Sequence, residues 1–161
     1  MAIVIGNEAV NRVTSTYLHT YTQVCKVVAA NAAGKITSVE IWLAWSDPND
    51  VWAGTFSASG NVLTCRDSES CGSIAFGSKQ TISGLDISVE TGDYLGAFAK
   101  TAAANIEKDT FGGTGVWSYE GEVIDPTDSQ TFTLDSGWEI SLYGTGTEAA
   151  PPATEAYGYV V

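Results

Sequence analysis

The sequence predicts an all-β fold, a two-sheet antiparallel β-sandwich of about ten short strands with extended N- and C-terminal arms. Turn-forming glycine, serine and threonine residues recur about every 8 to 12 residues, with β-branched and aromatic residues between them. Several of these intervals alternate between apolar and polar residues, which is the period of a strand. The 161 residues suit a single domain with a substantial buried core.

The clearest strand covers residues 35–45. Its alternation places Val39, Ile41, Leu43 and Trp45 on one face and Glu40, Trp42 and Ala44 on the other. We therefore expect Trp45 in the core, and we expect Trp42 to be the most exposed of the five tryptophans.

A second clear strand covers residues 85–90, with Leu85, Ile87 and Val89 facing inward. Residues 91–93 form a turn that leads into a strand at 94–99. A hairpin is predicted over residues 55–64, with its turn at 59–61. Further strands are predicted at residues 20–28, 51–57, 61–65, 106–108, 116–120, 130–134 and 139–143.

The predicted organisation is an N-terminal arm with the first strand (1–19), the sandwich (20–146) and a proline-linked C-terminal tail (147–161). The proline pair stiffens the tail, and its tip is aromatic and apolar. We expect the tip to close a sheet edge of its own domain or to bind a neighbouring subunit by strand addition. The residues predicted to dock on a partner are Ile3, Val4, Ile5, Tyr157, Tyr159, Val160 and Val161.

The chain is strongly acidic, with 19 acids against 7 bases and a net charge of -12. No base follows Lys108, whereas nine acids do. This balance argues against binding to nucleic acid, which requires a basic face, and against docking on anionic membranes. No apolar segment reaches the ~20 residues that span a bilayer, and the first residues lack the features of a signal peptide.

Three cysteines leave one without a pair. If residues 66–70 form a hairpin turn, Cys65 and Cys71 face each other and can form a disulfide. Cys25 lies in an apolar run and is expected to be a small buried side chain. The sequence holds no Cys-x-x-Cys pair, which argues against zinc.

The sequence implies no cofactor, with calcium as the one alternative. Asp47, Asn49 and Asp50 gather three oxygen-bearing side chains in one segment, which suits a hard cation. Asp67 and Glu69 form a second acidic segment. Asp-Pro-Asn-Asp is also an ordinary turn whose side chains cap backbone amides, and this interpretation is the stronger one.

Exposed aromatic residues suggest a surface for sugars. Trp42, Trp52, Trp117 and Tyr119 are the candidate glycan platform, because a pyranose ring packs its apolar face on an aromatic ring. The alternative is that arms or partners cover both sheet faces.

Paired carboxylates raise the alternative of a jelly-roll glycoside hydrolase. Glu120 and Glu122 flank Gly121, and Glu40 shares a face with Trp42. Such enzymes place two carboxylates about 5–10 Å apart. The acidic string typical of laminarinase-like jelly rolls is missing, however, so we do not expect an enzyme.

Six strings together resemble a jelly-roll-like domain of tailed-phage virion proteins, which occurs in head decorations and tail appendages. They are ANAAGKITSVEIW (30–42), TCRDSE (64–69), GSKQT (77–81), TGDYLG (91–96), IEKDTFGGTGVW (106–117) and ISLYGTG (140–146). The resemblance covers about residues 20–146 and brings no catalytic residues.

The resemblance implies a non-enzymatic virion accessory subunit, most simply a capsid decoration protein attached through its arms. Its partner would be the major capsid protein or another virion protein. A homo-oligomer is expected, and a trimer would match a capsid three-fold position. The protein would be assembled in the host cytoplasm and displayed on the virion surface. The alternative is a carbohydrate-binding module, on a phage or secreted.

Overall fold

The computed structural model describes residues 1–101 and 103–151. Within them the regular secondary structure consists of strands, and all named strand pairs are antiparallel. Two seven-stranded sheets pack together, which confirms the predicted two-sheet β-sandwich. No part of this described chain forms a helix suited to crossing a membrane.

Fourteen strands make up the two sheets. The first sheet has the order β1-β14-β4-β9-β13, with β2 paired to β9 and β7 paired to β4. The second has the order β11-β6-β5-β8-β3-β10-β12. The bounds are β1 (Ala2–Gly6), β2 (Thr14–Tyr17), β3 (Tyr21–Cys25), β4 (Gly34–Trp45), β5 (Asp50–Ser59), β6 (Val62–Gly72), β7 (Lys79–Val89), β8 (Tyr94–Thr101), β9 (Asn105–Asp109), β10 (Val116–Glu120), β11 (Ser129–Thr131), β12 (Thr133–Asp135), β13 (Glu139–Ile140) and β14 (Leu142–Glu148).

The two clearest alternating strands were predicted correctly, whereas the predicted strands at 130–134 and 139–143 are each divided between two strands. Strand β4 spans the predicted segment, and Leu85, Ile87 and Val89 of β7 face the core. The hairpin of β5 and β6 is also confirmed, because Ser59 pairs with Val62 across a two-residue turn. Gly60 in that turn has φ +60°, a conformation that favours glycine.

The main core lies between the two sheets. The inward side chains of β1, β4, β7 and β14 pack there against those of β5 and β8. Among them are Ile3, Ile36, Ile87 and Leu95, each fully buried. This interior accounts for most of the apolar alternation in the sequence.

A second core lies on the other side of the second sheet, which curls closed around it. Strand β11 pairs with β6 at one edge, and β12 pairs with β10 at the other. Only Phe132 separates β11 from β12. The segment 129–135 therefore joins both edges of the sheet, and Phe132 packs inside with Phe56, Leu63 and Trp117.

Gly96 allows the second sheet to curl tightly. A Cβ atom at this position would lie 2.6 Å from Cε2 of Phe56 and 2.7 Å from Cγ2 of Val24. Those distances are shorter than real carbon contacts, so only glycine leaves room for the two side chains.

The predicted N-terminal arm is wrong, because residues 1–19 belong to the sandwich. Strand β1 pairs along its length with β14, and β2 pairs with β9. Ile3 and Ile5 are fully buried in the main core and cannot dock on a partner. Val4 is half-buried, and its N–H donates to Oδ1 of Asn31 at 2.9 Å.

The predicted C-terminal boundary also moves. Strand β14 continues to Glu148, two residues past the predicted end of the sandwich at 146. The docking residues Tyr157, Tyr159, Val160 and Val161 lie outside the described residues.

The prediction of a buried Trp45 is wrong, since the side chain is 49% exposed. The pairing of β4 with β9 is irregular between Leu43 and Trp45. That irregularity breaks the alternation on which the prediction relied. Trp42 is half-buried and less exposed than Trp45, so the prediction that it is the most exposed tryptophan is also wrong.

The predicted disulfide is also wrong, and Cys65 and Cys71 are free thiols. Both lie on the continuous strand β6, six positions apart, which separates them by about 20 Å. Cys25 is buried as expected. Burial raises the pKa of all three thiols to about 12, so they remain protonated at neutral pH.

A buried arginine ties the N-terminal segment to the first sheet. The Arg12 side chain is 5% exposed, and its Nη1 lies 3.0 Å from Asp109 and 2.9 Å from Glu139. Its Nε donates to the hydroxyl of Ser141, and its Nη2 donates to the carbonyl of Glu8. Three of these four contacts join segments that are distant in sequence, whereas the contact with Glu8 is local.

This network is expected to make the protein less stable at acid pH. The Val13 amide and the Arg12 guanidinium hold the pKa of Asp109 below its ordinary value. A carboxyl with a lowered folded-state pKa stabilises the protein above its unfolded pKa of about 3.9, and this stabilisation is lost as the pH falls through the folded-state pKa. We expect the melting temperature to drop below about pH 4, and to drop less in Asp109→Asn, whose melting temperature should already be lower at pH 7. A parallel loss in both proteins would contradict the assignment to Asp109.

Candidate functional site

A groove of about 620 Å³ opens where the two sheets separate. One wall comes from β2 of the first sheet and from Trp138. The other comes from β3, β10 and the segment 131–135 of the second sheet. Its lining residues are Thr16, Tyr17, Tyr21, Gln23, Ser118, Tyr119, Glu120, Thr131, Thr133, Asp135 and Trp138.

Strand register builds the floor of the groove. Gln23 of β3 lies opposite Ser118 of β10, which lies opposite Thr133 of β12. Residues directly opposite each other in neighbouring strands share a face of the sheet. Tyr21 lies opposite Glu120 in the same way. These two neighbouring rows of side chains therefore face the groove and present polar groups to it.

Four aromatic residues line the groove, and packing holds them. The Tyr119 ring lies 5.6 Å from the ring of Phe132 in the second core. The Tyr17 ring is 51% exposed and packs edge-on against His19. The Lys108 ammonium lies 3.6 Å from the centre of the Trp138 ring, so a ligand can meet only the other face or the edge of that indole.

Among the described residues that line the groove, the only charged groups are two carboxylates, which accept hydrogen bonds. Asp135 accepts a hydrogen bond of 2.7 Å from the Ser118 hydroxyl, and Glu120 is exposed. Neither lysine nor arginine is among the residues that line the groove. The groove is therefore acidic and repels anions.

Gln23 has an unsatisfied acceptor at the floor. The residue is 1% exposed, and its Nε2 donates to the carbonyl of Tyr17 at 3.0 Å and to Oγ1 of Thr16 at 3.4 Å. These two bonds orient the amide. Within residues 1–101 and 103–151, no group donates to its Oε1. A buried acceptor without a partner costs about 1–3 kcal/mol, which a donor from the groove would recover.

The predicted glycan platform does not form as one surface. Trp42 lies on β4 of the first sheet, whereas the other three residues lie in the second sheet. Trp117 is only 2% exposed, and its Nε1 donates to Asn61 inside the second core, so its predicted exposure is wrong. The Lys100 ammonium covers Trp52 at 4.0 Å from the ring centre. Tyr119 alone of the four lines the groove.

The three carboxylates proposed for glycoside hydrolysis have different surroundings. Glu120 lines the groove, whereas Glu122 lies 3.1 Å from Lys100 in an ion pair that also includes Asp125. Glu40 is on the first sheet, 3.8 Å from Lys79. The structure therefore does not assemble them as an acid and base around one substrate.

Two of the three residues predicted to bind calcium are engaged in hydrogen bonds within the protein. Asp47 accepts the N–H of Phe76, while Asp50 accepts the Ser70 hydroxyl and the Trp52 indole N–H. These hydrogen bonds hold the pKa of Asp50 below its ordinary value. Asn49 is exposed. In the part of the chain that the structure describes, no group of three His, Cys, Asp or Glu side chains could hold a metal ion.

All seven lysines and arginines have a partner within the protein. Five form ion pairs with acids, and the other two lie over tryptophan rings. The pairs are Arg12 with Asp109 and Glu139, Lys35 with Asp86, Arg66 with Asp93, Lys79 with Glu40, Lys100 with Glu122 and Asp125, Lys26 with Trp117, and Lys108 with Trp138. The excess of acids is what the protein presents to its surroundings.

Most residues of the groove were not predictable from the sequence. Tyr17 and Tyr21 stand close together in the chain, and their clustering was the one available signal. Trp138 joins them from more than a hundred residues away, which only the topology shows.

Comparison of the chain with protein-family models, with curated proteins and with solved structures finds no match.

Proposed function

We propose that the protein is a non-enzymatic accessory subunit of a virion surface, most simply a capsid decoration protein. The proposal draws on the strand and turn strings that resemble tailed-phage virion domains. The charge distribution supports it, because the bases are satisfied internally and an acidic exterior keeps neighbouring particles and nucleic acid away.

The observation that carries the proposal is the position of the two chain ends of the sandwich. Ala2 of β1 pairs with Thr147 of β14, so both ends leave the fold at the same edge of the first sheet. The groove begins at β2, which pairs with β9. In the first sheet, β14 and β4 separate β9 from β1. Attachment through the segment after Glu148 would leave the groove side projecting outward.

The partner in this proposal is the major capsid protein or another virion protein. A homo-oligomer, with a trimer as the simplest case, would bring several tails to one capsid axis. Trp45 and Phe76 are each 49% exposed, and Phe76 pairs with Leu43, two residues before Trp45 on β4. They offer an apolar contact for a second copy.

Shortening the chain after Pro151 tests the attachment. The pairing of β14 ends at Glu148, so the shortened protein should keep its melting temperature. We expect its occupancy on purified particles, measured by quantitative mass spectrometry, to fall at least about tenfold, because each 1.4 kcal/mol of lost binding is a factor of ten.

Two outcomes would contradict parts of this proposal. Unchanged occupancy of the shortened chain would rule out the tail as the attachment. Recovery of the full-length protein from particle-free medium, and not from particles, would favour the secreted carbohydrate-binding module instead. Absence of turnover on a polysaccharide panel is expected in either case.

A further inference from the structure

We propose that the groove between β2 and the β3-β10-β12 edge binds a neutral oligosaccharide. The inference goes beyond virion attachment and does not depend on it. It rests on three properties that the groove combines: aromatic walls, a row of hydroxyl and carboxylate acceptors, and a buried amide oxygen that lacks a donor.

The aromatic walls suit the apolar face of a pyranose ring. Sugar C–H groups pack on the negative face of an aromatic ring, which favours Tyr and Trp at such sites. Tyr17, Tyr119 and Trp138 supply these rings, and Phe132 and Lys108 hold the last two from behind. A ligand would therefore meet side chains that are already ordered, which lowers the entropic cost of binding.

The polar groups suit the hydroxyls of a sugar. A hydroxyl donates one hydrogen bond and accepts others, and carboxylates accept the stronger charge-assisted bonds. Glu120 and Asp135 provide acceptors, whereas Thr131 and Thr133 are exposed and can do both. Gln23 adds its unpartnered Oε1 at the floor of the groove. A ligand hydroxyl that reaches this oxygen would supply the missing hydrogen bond.

Charge decides the class of sugar. Because two acids line the groove and the nearest base, Lys108, lies over the Trp138 ring, uronic acids, sulfated sugars and phosphate-bearing polymers would be repelled. A basic peptide would be attracted by the same acids. However, the row of hydroxyls and the hidden acceptor match a ligand rich in O–H donors better than a peptide.

Calorimetry with soluble oligosaccharides tests the proposal on the full chain. The panel contains neutral oligomers of glucose, galactose, mannose and N-acetylglucosamine, with oligogalacturonate and an Arg/Lys-rich peptide as the charged arms. We expect binding of at least one neutral oligomer and none of oligogalacturonate. Tyr119→Ala and Trp138→Ala should each weaken that binding by about tenfold or more.

Further variants separate binding from folding, because Tyr119 and Trp138 also pack against the two cores. Thr133→Trp fills the groove from an exposed position, and we expect it to abolish binding without lowering the melting temperature. Glu120→Gln should weaken binding by a few-fold. Trp42→Ala, on the other sheet, is the matched control and should bind like the unaltered protein.

Several results would overturn the inference. These are failure of all neutral oligomers to bind at millimolar concentration, binding of the peptide alone, and full affinity in Thr133→Trp. Loss of binding in Trp42→Ala at an unchanged melting temperature would place the sugar on the first sheet instead.

Discussion

Replacing Arg12 with methionine is expected to lower the free energy of unfolding by about 3 kcal/mol, the lower end of the cost of removing one partner from a buried ion pair. Arg12 is 5% exposed, and its loss leaves the carboxylates of Asp109 and Glu139 without their shared cation. The Ser141 hydroxyl and the Glu8 carbonyl lose a donor as well. Urea unfolding at neutral pH measures the change.

The matched control is Lys35→Met. Lys35 pairs with Asp86 at 3.2 Å, but both side chains are largely exposed, at 46% and 76%. An exposed pair contributes at most about 1 kcal/mol, so this variant should unfold nearly as the unaltered protein does. Equal effects of the two substitutions would show that burial of Arg12 does not matter to stability.

Replacing Phe132 with alanine is expected to cost about 3–5 kcal/mol, the usual loss for a buried phenylalanine. Its ring is 2% exposed and packs between Phe56 and Tyr119. Phe132 also lies between β11 and β12. The cavity that the alanine leaves is therefore at the point where the second sheet closes. Differential scanning calorimetry of the variant measures the loss.

Two further substitutions make the result interpretable. Phe132→Leu keeps most of the volume and should cost less than about 1.5 kcal/mol, which preserves a folded protein for study. Phe111→Ala removes the same ring from a side chain that is 88% exposed and should change stability by less than about 0.5 kcal/mol. A loss in Phe132→Ala no larger than in Phe111→Ala would contradict the second core.

The strands were predictable where alternation is strict. Strand β10 has the predicted bounds, and the β5–β6 hairpin and the inward face of β7 are as expected. Those features depend on local periodicity and on turn residues, which a single sequence displays. Trp45 was predicted on the wrong face of β4, because the irregular pairing after Leu43 reverses the direction of the side chains that follow it.

The closure and the groove were not predictable in this way. Residues 130–134 alternate like one strand, and nothing local indicates that Phe132 divides them between two edges of a sheet. The groove requires β2 and β3 to lie in different sheets although only three residues separate them. Of the residues singled out from the sequence, only Tyr119 and Glu120 line the groove.

Side chains occupy the outer edges of the first sheet where a neighbouring strand would otherwise bind. Asn31 accepts from the Val4 N–H and donates to the Ala2 carbonyl, so its amide imitates a strand beside β1. Along β7, the N–H groups of Asp86 and Ser88 donate to Glu69 and Asp67. Edges occupied in this way resist strand pairing with the sheet edge of another molecule. Many copies packed side by side in one layer could thus reach a high local concentration without exchanging strands.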